Sequence, residues 1–237
     1  MATVAEIGSI KKKRVFYLAF ATLTLLVLGL IYAWSIFASP LGKQFPAYGP
    51  LLAQVFQVSM FAFCVSALFG AQIIKKMSFR VAIITAAILL AAGFILTAFG
   101  AGLGVWSLFV FYGIVAGSGC GIGYNAIISL VNAWFPDKVG FCSGVQMMGF
   151  GLASLVFGSL ANLMFSIVAW QMVFLAIAIV GACLMVVFAV VVKPAPANIN
   201  ELLCAGGSTK LTLSNKVSPT QSQNILKTKV FWIYCIW

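Results

Sequence analysis

The stretch GSGCGIGY, Gly117–Tyr124, carries glycine at every second position over seven residues. Glycine-rich runs at a helix start can cradle phosphate, so the first question is whether this is a nucleotide loop. A dinucleotide fingerprint needs G-x-G-x-x-G after a strand, and a P-loop needs Gly-Lys followed by Ser or Thr. Here the spacing is wrong and no lysine follows. On a helix the pattern makes sense. Gly113, Gly117 and Gly121 are four apart and form one stripe, while Gly119 and Gly123 form a second, roughly opposite one. Such small-xxx-small patterns let helices approach closely in lipid. Tyr124 continues the Gly117 stripe seven residues on. Its hydroxyl suits either a polar cavity or a single interhelical hydrogen bond.

Composition places that helix in a membrane. The 237 residues are 63% hydrophobic and 7% charged, with 14 basic residues, 3 acids and no histidine. A soluble domain averages about a quarter charged residues, and this chain cannot make such a surface. Val15–Gly42, Gln44–Ile74, Val81–Pro136 and Val139–Val192 are free of charge. The last two runs are 56 and 54 residues long. As single helices they would extend roughly 80 Å, against a hydrocarbon core of ~30 Å. Each must fold back once, at GAGLG (Gly100–Gly104) and around Ser166–Trp170. The expected architecture is an all-α integral membrane bundle of six spans, about 15–38, 51–74, 80–100, 105–133, 141–164 and 169–192.

An even number of spans puts both ends on one side. Thirteen of the fourteen basic residues fall on that side, leaving Lys43 alone on the other. Positive residues stay cytoplasmic, so both termini are expected in the cytoplasm of a multi-pass inner or plasma membrane protein. The +11 net charge then reflects topology and attraction to the membrane surface. It is not a nucleic-acid footprint, because no basic stripe shares a face with stacking aromatics. The KKKR run before the first span resembles a signal peptide, but the apolar stretch after it is too long and has no close cleavage site.

Chemistry-bearing groups are few. The six cysteines have no C-x-x-C spacing, and without histidine neither a metal cluster nor a Ser-His-Asp set is possible; no cofactor is expected. No Asp, Glu, Lys, Arg or His lies deep in a span, so nothing there can relay a proton. The polar groups inside the spans are neutral: Tyr32, Trp34 and Ser35, then Gln54 and Gln57, then Tyr124 and Asn125, then Gln146 and Asn162. They either glue helices together or line a path for a small solute, and Tyr32, Trp34, Gln54, Gln57, Tyr124 and Asn125 are the candidate substrate wall. Tyr32 and Trp34 could equally be interfacial anchors. In span five, Gly144, Gly151 and Gly158 are seven apart and read as a second packing stripe, with Ser154 nearby.

Three stretches resemble the major facilitator superfamily, and within it the oxalate/formate antiporter-like carriers of organic anions. They are GLIYAWSIFASPL (Gly29–Leu41), the run from Gly117 to Gly158 with its Trp-Phe-Pro-Asp-Lys turn (Trp134–Lys138), and KTKVFWIYCIW (Lys227–Trp237). The resemblance implies a twelve-helix carrier of two six-helix halves, each half a pair of inverted three-helix repeats, with substrate held between the halves. By that analogy residues 1–192 are the first half, with repeats of about 1–103 and 104–192. Residues 193–229 are then a disordered cytoplasmic linker, and 230–237 the start of a seventh span that stops short. The resemblance also implies an oxalate-, formate- or lactate-like substrate moved by alternating access, and gating roles for Arg80, Asp137 and Lys138. The chain departs from the family between spans two and three. GAQIIKKMSFR (Gly70–Arg80) has Ile74 or Lys75 where members commonly carry aspartate. The cations that pair with the anion are expected from the second half. The expectation is therefore a truncated copy that does not transport alone. The competing readings are a half-size carrier working as a dimer, and a membrane scaffold acting through residues 193–229.

Overall fold

A computed structural model describes residues 4–165, 167–196 and 199. Most of the expected linker and the whole of 230–237 lie outside the described residues. Among the described residues six helices are long and apolar enough to cross a membrane: α1 (Lys12–Gln44), α2 (Leu51–Lys76), α3 (Phe79–Leu103), α4 (Val105–Asn132), α5 (Val139–Phe165) and α6 (Trp170–Val191). No strand occurs among the described residues. The chain is a multi-pass membrane protein of all-α architecture, a six-helix half of the kind expected.

The reversals fall where the charge-free runs demanded them. Between α3 and α4 the chain turns at Gly104, whose φ of 126° is open to glycine and strained for other residues. Between α5 and α6 it turns around Ile167–Ala169. The two ends of the bundle are tied by different groups. At one end Arg14 of α1 pairs with Asp137 in the α4–α5 corner, and the Trp134 indole N–H donates to the carbonyl of Lys193 after α6 at 2.9 Å. At the other end Tyr48 donates to Ala101 O at 2.8 Å, and Trp170 donates to Gln44 Oε1 at 2.6 Å. The first end also carries Lys75, Lys76, Arg80 and Lys138, and the second carries Lys43. The start of the expected linker is therefore held: Lys193 by Trp134, and Ile199 buried against the core.

The glycine stripes of α4 set the packing. Around its first stripe α4 lies on α2: a Cβ at Gly117 would come 2.7 Å from Ser59 O, and one at Gly121 would collide with Phe63 O. Gly113 meets Val58. Around the second stripe α4 lies on α3, where a Cβ at Gly119 would come 2.6 Å from Leu90 N, and Gly123 meets Met185 of α6 and Leu28 of α1. Helix α4 is therefore central, with α2 and α3 on either side; α6 packs on α3, and α5 on α1. In lipid this association rests on van der Waals contact and hydrogen bonds, since the surrounding tails are as apolar as the helices.

Two features differ from expectation. Helix α1 extends beyond the expected 15–38, and it is not uniform. It runs as α-helix over Val4–Leu28, tightens to a 3-10 segment over Gly29–Ala33, and resumes as α-helix over Trp34–Gln44. Helix α4 likewise widens to π-helix over Phe109–Ala116. The two irregular segments meet. The Tyr112 hydroxyl donates to Ile31 O at 3.0 Å, and the Cys120 thiol reaches Leu28 O at 3.4 Å. The Ile31 and Leu28 carbonyls of α1 thus each receive a side-chain donor from α4.

The second correction concerns α5. A Cβ added at Gly144 or Gly151 would meet nothing within 4 Å, and both glycines are exposed. Gly158 meets only Ile36. Gly149 adds a contact with Thr22 of α1, and Gly29 of α1 is set against the Phe150 backbone. Of the three heptad glycines, Gly144 and Gly151 therefore mark an open face of α5, and Gly158 packs on α1.

Candidate transport wall

Four helices bring aromatic rings to one place. Phe150 of α5 lies at the centre, 5.1 Å from the ring of Tyr32 (α1), 4.7 Å from Tyr124 (α4) and 6.0 Å from Phe63 (α2), between centroids. Phe63 and Tyr124 are 5.4 Å apart, and Phe56 joins Tyr32 at 6.3 Å. These separations and the tilted geometries are those aromatic pairs prefer. Phe150 is buried, Phe63 and Tyr124 are half-buried, and Tyr32 is exposed. Beside Tyr32 opens a recess of about 360 Å³ bounded by Ser35, Ala38, Ala53 and Phe56 and edged by Trp34. A second recess of similar size, lined by Ile36, Ser39, Ser154, Gly158 and Ser159, lies between α1 and α5.

The six expected wall residues separate into three groups. Tyr32 and Tyr124 are in the cluster, and among the described residues their hydroxyls make no hydrogen bond. Trp34 turns inward instead. Its indole N–H donates to Leu52 O at 2.6 Å, its ring lies 4.2 Å from that of Tyr112, and it is buried. Asn125 is spent on packing, donating to Ala67 O of α2 at 2.8 Å and accepting from Ser129 at 3.2 Å. Gln54 and Gln57 are exposed; Gln57 lies one turn beyond Ala53, which bounds the recess, and Gln54 lies further round α2. At ~100° per residue Gln54 stands ~160° and Gln57 ~100° around the helix from Phe56, while Gln57 is only ~40° from Ala53. Ser35 is exposed at the recess, while Gln146 is buried and donates to Asn132 Oδ1 and Cys142 O, both at 3.2 Å. The side chain of Asn162 lies outside the described residues.

Phe56, Phe63 and Phe150 were not singled out in the sequence. One available signal was that Phe56 and Phe63 are seven apart on α2, on the face that leads to Tyr124. At the basic end, Asp137 is engaged by Arg14, whose guanidinium lies 4.4 Å over the Phe135 ring. Lys138 and Arg80 are exposed. Among the described residues no group of side chains could hold a metal ion.

A wall of this kind can bind without reacting. It offers ring faces and edges, two unspent hydroxyl donors and no charge.

Known proteins agree with this architecture. Over 221 residues, 93% of this chain and 50% of the relative, the sequence is 26% identical to the oxalate:formate antiporter of Oxalobacter formigenes. It is 27% identical over 174 residues to the MFS-type transporter YhjX of Escherichia coli, covering 73% of this chain and 43% of that one. A 56-residue segment is 41% identical to apicoplast pyruvate carrier 1 of Toxoplasma gondii, 23% of this chain and 10% of that protein. The chain thus spans about half the length of the first two relatives. The family model of the Major Facilitator Superfamily matches residues 18–237. With that match across most of its length, and with six apolar helices among its described residues, the chain belongs to the major facilitator superfamily.

Proposed function

We propose that this chain forms one six-helix half of a secondary transporter for small organic anions, of the oxalate, formate or lactate type, working by alternating access. The observation that carries the reading is the pair of unspent hydroxyls, Tyr32 and Tyr124, on an aromatic cluster built from α1, α2, α4 and α5. A small carboxylate takes such donors on its oxygens, and ring edges complement its charge. Carriers of this superfamily hold substrate near the midplane between two halves that rock about it. No charged side chain stands at that depth among the described residues, so the facing half supplies the cation. Arg14, Lys75, Lys76, Arg80, Lys138 and Lys193 mark the cytoplasmic side of a cell membrane. The function is transport, without a catalytic step or cofactor.

The test is counterflow of labelled oxalate, formate and lactate in proteoliposomes. One set holds this chain alone. The other holds this chain together with the second half of the O. formigenes antiporter. Saturable exchange is expected in the second set only, and Tyr124→Phe lowers it. Exchange by the chain alone overturns the division of labour, and exchange in neither set overturns the anion reading.

A further inference from the structure

The side of α2 away from the aromatic cluster holds a different site. A groove of about 310 Å³ runs between α2 and α4, lined by Val58, Phe61, Val65 and Phe69 of α2 and Ile114 and Ser118 of α4. Phe61 and Phe69 are largely exposed along it. Phe69 and Lys76 are seven residues apart and so lie on one face of α2, with Lys76 ~10 Å further along the axis. Val65 lies ~16 Å from Lys76, close to the ~15 Å depth of one leaflet of the hydrocarbon core. Lys76 is exposed at the head of the groove, with Lys75 beside it. Arg80 follows across the short Met77–Ser78 corner, and Met77 itself is 67% exposed.

Charge decides the occupant. The acid described at this end, Asp137, is taken up by Arg14. The result is an apolar groove whose near residues, Phe69 and Val65, lie ~10 and ~16 Å along α2 from an exposed Lys76, with no acid pairing Lys75, Lys76 or Arg80 among the described residues. We propose that this groove seats one anionic phospholipid, an acyl chain lying along Val65–Phe69 and the phosphate held by Lys76 and Arg80. A soluble phosphate would use the cations and leave the groove unfilled. A zwitterionic lipid would fill the groove and bring its own ammonium to a cationic head. An anionic lipid satisfies both.

The experiment uses the full chain in dodecyl maltoside, mixed with dioleoyl phosphatidylglycerol or dioleoyl phosphatidylcholine, and read by native mass spectrometry. One phosphatidylglycerol is expected to be retained in preference to phosphatidylcholine. Lys76→Gln weakens retention about fivefold, and Lys76→Gln with Arg80→Gln about 25-fold, taking ~1 kcal/mol per cation at a membrane surface. Val65→Trp, which fills the groove and leaves the charge alone, weakens both lipids. Lys43→Gln at the opposite end changes neither, and 10 mM inorganic phosphate does not displace the lipid. Equal retention of the two lipids, equal losses from Lys43→Gln and Lys76→Gln, or displacement by phosphate overturns the proposal. The charge variants are at exposed positions, so they decide the matter even where Val65→Trp fails to fold.

Discussion

Removing Asp137 strands a charge that cannot neutralise itself. The Arg14 and Asp137 side chains are 8% and 6% exposed, and a guanidinium stays protonated at any pH the protein meets. Taking one partner from a buried pair costs roughly 3–5 kcal/mol, while replacing both with apolar groups of similar volume is often neutral or stabilising. Arg14 lies near the bundle end and can reach toward the interface by its long stem, so Asp137→Leu is expected at the low end, about 3 kcal/mol. Arg14→Met loses the ring contact with Phe135 as well, worth ~0.5–2 kcal/mol. The double variant Arg14→Met/Asp137→Leu should recover most of the loss and stand within ~1–2 kcal/mol of the parent, the remainder being that ring contact. The assay is reversible unfolding in mixed micelles with increasing dodecyl sulfate, run as a double-mutant cycle. A single-variant loss below ~1 kcal/mol, or a double variant as unstable as the sum of the singles, refutes the account of a buried, mutually dependent pair.

Three further outcomes follow from the same geometry. Gly117→Val places branches where a Cβ already meets Ser59 O at 2.7 Å, so it should cost ~1–3 kcal/mol or more in the same unfolding assay; Gly151→Ala, with open space around it, should stay within ~0.5 kcal/mol. Tyr112→Phe removes the donor to Ile31 O and should cost ~0.6–1.7 kcal/mol, with faster amide exchange confined to residues 29–44; exchange that rises evenly over all six helices would contradict the pinning. Reporter fusions in the Ser39–Pro50 segment and the Trp134–Lys138 corner should report opposite compartments, and a shared compartment would refute the arrangement of spans.

The spans and reversals were legible because they depend on local quantities. A 56-residue run without charge has to turn, and the glycines at 100–104 supply the turn. The α4 stripes were legible because glycine at four-residue spacing has few other uses in lipid. What stayed hidden depends on the partner. GLIYA contains no proline to announce a break, and its 3-10 geometry goes with hydrogen bonds from Tyr112 and Cys120, 81 and 92 residues away. Gly144, Gly151 and Gly158 looked like Gly113, Gly117 and Gly121, yet nothing in the sequence said that α1 would lie against Gly149. Trp34 and Asn125 looked like wall residues by chemistry, and backbone carbonyls of α2 had already claimed them. Asp137 read as part of a turn because its partner Arg14 is 123 residues distant. Phenylalanines such as Phe150 carry no polar signal, so their role emerged only when four helices met.

The pinned breaks of α1 and α4 bear on how the polypeptide is made. Synthesis runs from the first helix to the fourth, so Leu28 and Ile31 enter the bilayer roughly eighty or ninety residues before the groups that close their carbonyls. Until Cys120 and Tyr112 are translated, those side-chain bonds cannot form, and an α-helix satisfies the segment's carbonyls by itself. Its 3-10 segment is then acquired late, on arrival of the fourth helix, and a ribosome-stalled fragment ending before residue 112 should hold α-helical geometry through Gly29–Ala33.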